Sequence, residues 1–176
     1  YWLIDPLDGT KEFISRNGEF TVNVALIEKN KPSLGFVIVP TQKTLYWGGI
    51  NLGSFKSKID LKRTVSISVA NPHNPVRVVV SSNHLNQATL DYIKTLGKTE
   101  LVRAGSSLKF LTIAEGKTDC YPRLGSTCEW DTAAAQAVLE GAGGQVNQVD
   151  GSPLSYGKLD ILNPHFIARG IVKEIN

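Results

Sequence analysis

Apolar and polar residues alternate along the first half of this sequence, a pattern typical of β-strands that have one buried face. The alternation runs from Phe20 to Lys29, returns from Leu34 to Val39 until Pro40 stops it, and recurs over 44–48 and 64–69. Short turns separate the first three runs, and residues 49–63 have the composition of a loop or hairpin. Successive strands joined by short turns predict an antiparallel meander.

The second half has a different rhythm, in which short apolar runs alternate with segments of helical periodicity. Turn-forming residues cluster over 71–75, so we expect a domain boundary there, with one unit over 1–74 and another over 75–176. Predicted strands cover 76–81, 100–104, 118–121 and 145–149, and predicted helices cover 85–96, 107–115 and 131–141. Such alternation is typical of α/β layering.

The chain opens with an apolar, strand-compatible run that leads into two aspartates. Pro6 has a fixed φ and favours an extended Asp5, so the sequence predicts that the strand ends at Asp5. Asp8 follows three residues later, with the Leu7 carbonyl between the two carboxylates. Hard oxygen ligands of this kind suit Mg²⁺. Asp-Pro and Asp-Gly are also common turn pairs, so a plain turn, or Asp8 as a helix N-cap, is the alternative.

A helical turn is predicted over 10–14, directly behind this loop. Gly9 relaxes the steric limits on the backbone just before that turn. The amides of Gly9 and Thr10, with the positive end of the helix dipole, suit a phosphate group. The loop therefore combines candidate cation ligands with a candidate phosphate cradle.

Polar residues also stand at the starts of two later helices. Asp131 opens the alanine-rich helix at its expected N-cap position, a structural role that is compatible with binding a cation. Gly105, Ser106 and Ser107 precede another helix, and their amides and hydroxyls can bind an anion. The alternative for this second segment is a capped helix followed by a solvated Lys109.

Two further candidates lie at the ends of predicted strands. The guanidinium of Arg123 can form two hydrogen bonds to a phosphate. His84 lies at the carboxyl edge of a strand, where the ligands of α/β sheets collect, although an isolated loop histidine usually has no such role.

Composition excludes several classes of protein. The 176 residues are 41% hydrophobic and 20% charged with a net charge of +3, and no basic run indicates binding to a nucleic-acid polymer. No apolar run is long enough for a transmembrane segment. Cys120 and Cys128 are too few for a disulfide framework, so we expect reduced thiols and a cytoplasmic protein, with a single disulfide as the alternative. Association with the inner face of a membrane stays open.

The aspartate-containing runs match two signatures of a known superfamily. Trp2-Leu-Ile-Asp-Pro-Leu-Asp-Gly-Thr-Lys-Glu-Phe13 and Trp130-Asp-Thr-Ala-Ala134 resemble those of the inositol-monophosphatase superfamily, the Mg²⁺-dependent, lithium-sensitive phosphomonoesterases. Together with Gly105-Ser-Ser-Leu-Lys-Phe110 and Tyr121-Pro-Arg123, the resemblance narrows to the bacterial CysQ-type 3′(2′),5′-bisphosphate nucleotidases. It implies that superfamily's layered α/β sandwich, a small phosphorylated nucleotide as substrate, and a place in sulfur metabolism.

The resemblance also implies roles for particular residues. Asp5, the Leu7 carbonyl, Asp8 and Asp131 would hold Mg²⁺, and Asp131 would also touch the substrate. Thr10 and Asp8 would be catalytic, with Thr10 working on the nucleophilic water, and the Gly9 and Thr10 amides would bind the scissile phosphate. Four residues would hold the rest of the adenosine bisphosphate: His84, Ser106, Lys109 and Arg123.

Two upstream elements of the family have no counterpart in this sequence, namely an Asp that helps to activate water and a Glu-Glu metal motif. We therefore expect the first domain to be truncated and its meander to lack covering helices. We also expect this chain alone to associate or to be poorly soluble, and to hydrolyse adenosine bisphosphate slowly. An inositol-phosphate or fructose-bisphosphate phosphatase is one alternative function, and a non-catalytic fragment that binds a nucleotide or a partner is another. The sequence leaves oligomeric state open.

Overall fold

The computed structural model describes residues 1–82 and 85–171. Its first sheet is a six-stranded antiparallel meander in which each strand pairs with the next along the chain. The strands are β1 (Trp2–Asp8), β2 (Thr21–Glu28), β3 (Lys31–Val39), β4 (Thr44–Gly49), β5 (Gly53–Lys58) and β6 (Thr64–Ile67). A short helix, α1 (Thr10–Ile14), connects β1 to β2, and a 3-10 turn (Pro40–Gln42) precedes β4. The predicted meander is confirmed.

The second sheet has five strands in the order β10-β11-β9-β7-β8. It contains β7 (Val76–Ser81), β8 (Thr99–Ala104), β9 (Cys120–Arg123), β10 (Gln145–Gln148) and β11 (Phe166–Arg169). The central strand β7 is parallel to β8 and β9, whereas β11 is antiparallel to both of its neighbours. In the described part of the chain, this sheet is accompanied by the helices α2 (Gln87–Thr95), α3 (Leu108–Ala114) and α4 (Glu129–Gly141).

Four layers result from the way these elements pack. Helices α3 and α4 lie between the sheets, since α4 packs against β2, β3 and β4 while α3 packs against β7 and β9. Because side chains alternate along a strand, β7 has two apolar faces: Val79 joins the main core, and Val78 and Val80 pack with Ile93 of α2. This arrangement confirms the predicted layered α/β fold.

The expectation that the meander lacks covering helices is wrong for one of its faces, because α4 lies across it. Contact is close at Gly35 of β3, where an added Cβ would lie 2.1 Å from the carbonyl oxygen of Ala134. The main hydrophobic cluster includes residues from both sides of the predicted boundary, among them Val37 and Phe110. The sheets themselves divide between Ile67 and Val76. The division into units over 1–74 and 75–176 stays a prediction.

Several predicted boundaries are corrected by the structure. Strand β1 does not end at Asp5 but continues past Pro6 to Asp8, because β1 is an edge strand and its register shifts between Asp5 and Asp8. Such irregular edges tolerate a proline, which cannot donate a backbone hydrogen bond. Strand β3 begins at Lys31 and includes Pro32, whereas the predicted strand begins at Leu34. Strand β11 was not predicted.

Candidate active site

Three carboxylates meet at one end of the layered core. Asp5 and Asp8 lie on β1 and Asp131 lies in the first turn of α4, and one ligand atom from each lies within 4.8 Å of the others. The irregular register of β1 brings its two aspartates to the same site. Gly9 follows with φ of 86°, a left-handed conformation that lets the chain turn directly into α1.

Each carboxylate is anchored through one of its oxygens. Asp5 Oδ1 accepts a hydrogen bond from the Leu7 amide at 3.0 Å, and Asp8 Oδ2 accepts one from the Ser107 amide at 2.7 Å. Asp131 Oδ2 accepts one from the Cys128 amide at 2.7 Å. Cys128 is the N-cap of α4 and Asp131 is the third helical residue, so the predicted N-cap role of Asp131 is wrong. Its carboxylate instead closes a capping box.

Burial, with repulsion between neighbouring carboxylates, raises the pKa of Asp5 and Asp131. Burial, opposed by the Leu7 hydrogen bond and reinforced by Asp8 and Asp131, raises the pKa of Asp5 to about 6. Burial is also the main cause that raises the pKa of Asp131, with repulsion from Asp8 adding to it. A positive ion among the three groups would reverse both effects. The donor set, all oxygen, fits a hard divalent cation.

Lys109 and Arg123 bring positive charge to the same cavity. Lys109 is only 6% exposed, so the alternative of a solvated lysine is wrong. Its Nζ donates to the Ser106 carbonyl at 2.5 Å and lies 5.3 Å from the centre of the Tyr121 ring. Burial lowers the pKa of Lys109 to about 8, with Asp8 opposing and Arg123 reinforcing the shift.

The guanidinium of Arg123 is only partly satisfied by the protein. One terminal nitrogen donates to the Ser126 carbonyl at 2.8 Å. The Nε atom is buried and has no hydrogen-bond partner among residues 1–82 and 85–171. A buried donor without an acceptor is costly, and an anionic oxygen in the cavity would satisfy it.

The cavity has a volume of about 800 Å³, which is ample for a nucleotide-sized ligand. It brings together most of the predicted site residues, and its lining includes Asp5, Leu7, Asp8, Gly9, Thr10, Ser106, Lys109, Arg123 and Asp131. Thr10 is exposed at the first position of α1. The prediction for His84 lies outside the described residues.

The Gly-Ser-Ser segment does bind an anion, but that anion is a side chain of the protein. Ser106 Oγ donates to Asp8 Oδ2 at 2.5 Å, beside the amide of Ser107. The role of Ser106 in holding a nucleotide therefore stays a prediction, and in the structure its hydroxyl contacts Asp8.

Sequence reasoning missed the polar residues behind Asp8. Thr21 and Asn23 of β2 are 0% and 2% exposed, and both contact the Asp8 carboxylate. The available signal was the alternation in β2, which put these two polar residues on the same face as Ala25 and Ile27. That face is the buried one.

Two further findings concern membrane-spanning helices and the two cysteines. Within the described part of the chain, no helix combines the length and apolar character that a membrane crossing needs. Cys120 and Cys128 are both free thiols, as predicted.

The layered α/β fold holds a carboxylate cluster and two cationic side chains around one cavity, an arrangement that suits a divalent cation and a phosphorylated ligand. The chain belongs to the inositol monophosphatase family, whose sequence model matches residues 1–176. Members of this family are metal-dependent phosphatases that act on small phosphorylated substrates. The predicted superfamily is confirmed.

One protein of known name and two solved structures show how similar the chain is to individual relatives. The chain is 44% identical over 167 residues to the 3′(2′),5′-bisphosphate nucleotidase CysQ of Salmonella typhimurium, covering 94% of this chain and 66% of that protein. The crystal structure of CysQ from Bacteroides thetaiotaomicron matches with a TM-score of 0.89 and 41% identity, over 96% of this chain and 69% of that one. An inositol monophosphatase from Anabaena matches with a TM-score of 0.77 and 27% identity, over 96% and 68%. The chain thus spans slightly less than two thirds of the Salmonella protein.

Proposed function

We propose that this chain supplies the core of a Mg²⁺-dependent phosphomonoesterase that removes the 3′-phosphate of adenosine 3′,5′-bisphosphate, giving AMP and phosphate. The observation that supports this most strongly is the pairing of three converging carboxylates with two cationic side chains in one cavity. Identity of 44% to a relative named as a bisphosphate nucleotidase supports the substrate.

In this proposal the metal end of the cavity is built from Asp5, the Leu7 carbonyl, Asp8 and Asp131. Their oxygens suit Mg²⁺, and burial, with repulsion between the carboxylates adding to it, raises the pKa of Asp5 and Asp131, which a bound cation would counteract. Bound Mg²⁺ would withdraw charge from the phosphate oxygens and make a neighbouring water more acidic.

The reaction transfers the phosphoryl group from the ribose 3′-oxygen to water. A water oxygen forms a bond to phosphorus while the bond from phosphorus to the 3′-oxygen breaks, and the 3′-oxygen takes up a proton. The hydroxyl of Thr10 would orient the water, and the amides of Gly9 and Thr10 would hold the phosphate oxygens. Positioning and charge stabilisation suffice for this chemistry, so no side-chain nucleophile is needed.

The second phosphate of the substrate would be held by Lys109 and Arg123, which line the same cavity. The buried Nε of Arg123, which has no acceptor among the described residues, supports a role in binding an anionic oxygen. Lys109 is a buried ammonium whose low pKa would rise when a second negative charge arrives. His84 and Ser106 remain candidates for contacts to the nucleotide.

The test is phosphate release from three substrates: adenosine 3′,5′-bisphosphate, inositol 1-phosphate and fructose 1,6-bisphosphate, each with Mg²⁺ or with EDTA. We expect turnover that requires Mg²⁺ and is fastest on the nucleotide. Preference for either sugar phosphate would replace the substrate assignment while keeping the metal site. Nucleotide binding without turnover on any substrate would favour the non-catalytic alternative. We also propose a cytoplasmic location, which the two free thiols support.

A further inference from the structure

One oxygen of the Asp8 carboxylate accepts the hydrogen bonds described in this paragraph. Asp8 Oδ2 lies 2.5 Å from Ser106 Oγ and 2.7 Å from the Ser107 amide nitrogen. Thr21 Oγ1 at 3.2 Å and Asn23 Nδ2 at 3.3 Å complete the set. The geometry therefore distinguishes the two oxygens of one carboxylate, with Oδ2 turned into the protein.

The groups around Oδ2 also hold one another. Ser107 Oγ donates to Asn23 Oδ1 at 3.0 Å, which turns the Asn23 amide nitrogen towards Asp8. Thr21 Oγ1 lies 2.6 Å from Ser106 Oγ and 2.7 Å from Ser107 Oγ. Thr21, Asn23 and Ser107 are all at most 2% exposed. Because Ser106 donates to Asp8 and Ser107 donates to Asn23, the single hydroxyl proton of Thr21 is left to bond to one of three oxygens, Asp8 Oδ2 or either serine Oγ. Buried polar groups linked in this way restrict the arrangement of the side chains.

Local backbone strain accompanies the network. Ser106 has φ of 50°, in the left-handed region that non-glycine residues rarely adopt. This conformation presents the Ser106 hydroxyl and the next amide to the same carboxylate oxygen. Residues held in such conformations are strained, and they cluster at functional sites.

We propose that Thr21, Asn23 and Ser107 are positioning residues that fix the Asp8 carboxylate so that Oδ1 is its metal-ligating oxygen. This inference rests on the metal site of the proposed function. Residues that orient metal ligands in this way change metal affinity by about 10- to 100-fold when they are removed. The polar residues of β2 thus contact Asp8, although they do not line the cavity.

The test is Mn²⁺ affinity, measured on the purified chain by electron paramagnetic resonance of the free ion. Thr21→Val is nearly isosteric and suits a β-strand, and we expect it to weaken Mn²⁺ binding by about 10-fold or more. Thr21→Ser restores the hydroxyl and should restore most of the affinity. The matched control is Thr44→Val, because Thr44 is a buried threonine, 2% exposed, in the same sheet, whose hydroxyl donates to the Gln42 carbonyl. This control should bind Mn²⁺ as the unmodified chain does.

Two outcomes separate failure of the inference from failure of the proposed function. If the unmodified chain binds Mn²⁺ more tightly than Asp8→Asn, and Thr21→Val binds as the unmodified chain does, the positioning role is wrong while the metal site stands. If Asp8→Asn binds Mn²⁺ as tightly as the unmodified chain, the metal site itself is wrong. Should Thr21→Val fail to fold, Ser107→Ala tests the same network, since it frees the Asn23 amide. Unchanged affinity in a folded Ser107→Ala would overturn the inference.

Discussion

Replacing Asp5 by asparagine is expected to change the stability of the protein in opposite directions with and without Mg²⁺. The asparagine keeps the size of the side chain and the oxygen that accepts the Leu7 amide at 3.0 Å. It removes one negative charge from a site in which burial, and to a smaller extent Asp8 and Asp131, raise the pKa of Asp5. The substitution therefore isolates the charge of Asp5 from its shape.

Without metal, the sign of the stability change caused by Asp5→Asn follows from proton linkage. The pKa of Asp5 rises from 3.8 to about 6 on folding, so the folded chain binds more protons than the unfolded chain between these values. The contribution of Asp5 to stability therefore falls as pH rises through this window. A shift of two units corresponds to about 3 kcal/mol for a fully buried group. Asp5 is only partly buried and is screened by solvent, so we expect about 1 kcal/mol.

In EDTA at pH 7.5, Asp5→Asn should therefore be more stable than the unmodified protein by about 1 kcal/mol. At pH 4 the difference should nearly vanish, because most of the Asp5 population is then protonated in the folded protein. With Mg²⁺ at about 100 times its dissociation constant, binding stabilises the unmodified protein by about 2.7 kcal/mol. The variant binds Mg²⁺ poorly and gains much less, so it becomes the less stable of the two.

Urea unfolding followed by tryptophan fluorescence measures all of these differences. The control is Asp60→Asn, because Asp60 is an exposed aspartate whose Oδ1 accepts the amide two residues later, as Asp5 does. We expect little change from it in any condition. If Asp5→Asn destabilises the metal-free protein at pH 7.5, or if Mg²⁺ stabilises both proteins equally, the reasoning about the carboxylate cluster is refuted.

Two further predictions concern specificity and packing. Lys109→Gln should lower kcat/KM for adenosine 3′,5′-bisphosphate by roughly ten- to a hundred-fold more than for inositol 1-phosphate, since charge-assisted contacts contribute about 1.5–3 kcal/mol. The control is Lys94→Gln, on the exposed face of α2. Equal losses on both substrates would contradict the role of Lys109 in binding the second phosphate. Gly35→Ala should destabilise the protein by about 2 kcal/mol or more in urea unfolding, because α4 leaves no room for a Cβ. Gly170→Ala, where the nearest atoms are 3.6 Å away, should cost far less, and similar losses for both would argue against close packing at Gly35.

Local patterns predicted most of the architecture. Helix α1 over Thr10–Ile14 and strand β7 over Val76–Ser81 begin and end as predicted, because Gly9 and the flanking turn residues mark their ends. Strand β11 could not be predicted in the same way. Its residues, Phe166–Arg169, form a strand because they pair with β9 and β10 on either side, and a local pattern does not show pairing between segments that are distant in sequence.

The candidate site was predictable where its chemistry lies in contiguous residues. Asp5 and Asp8 share strand β1, and the resemblance of this segment to a known signature led to the cluster that the structure contains. Asp131 was predicted as a member but with the wrong helix position, because a carboxylate three residues into a helix also suits a capping box. Thr21 and Asn23 were missed because their partner Asp8 is distant in sequence, and only the folded meander makes them neighbours.

Phosphate release from adenosine 3′,5′-bisphosphate by the unmodified protein and by Asp8→Asn, each with Mg²⁺ and with EDTA, tests the central claim most directly. We expect Mg²⁺-dependent turnover in the unmodified protein, and its loss in Asp8→Asn with the fold largely retained, because a neutral amide is a poor ligand for a hard cation. Circular dichroism establishes that the variant is folded. Near-normal turnover of Asp8→Asn at the same Mg²⁺ concentration would contradict the account, since Asp8 would then not be part of the metal site.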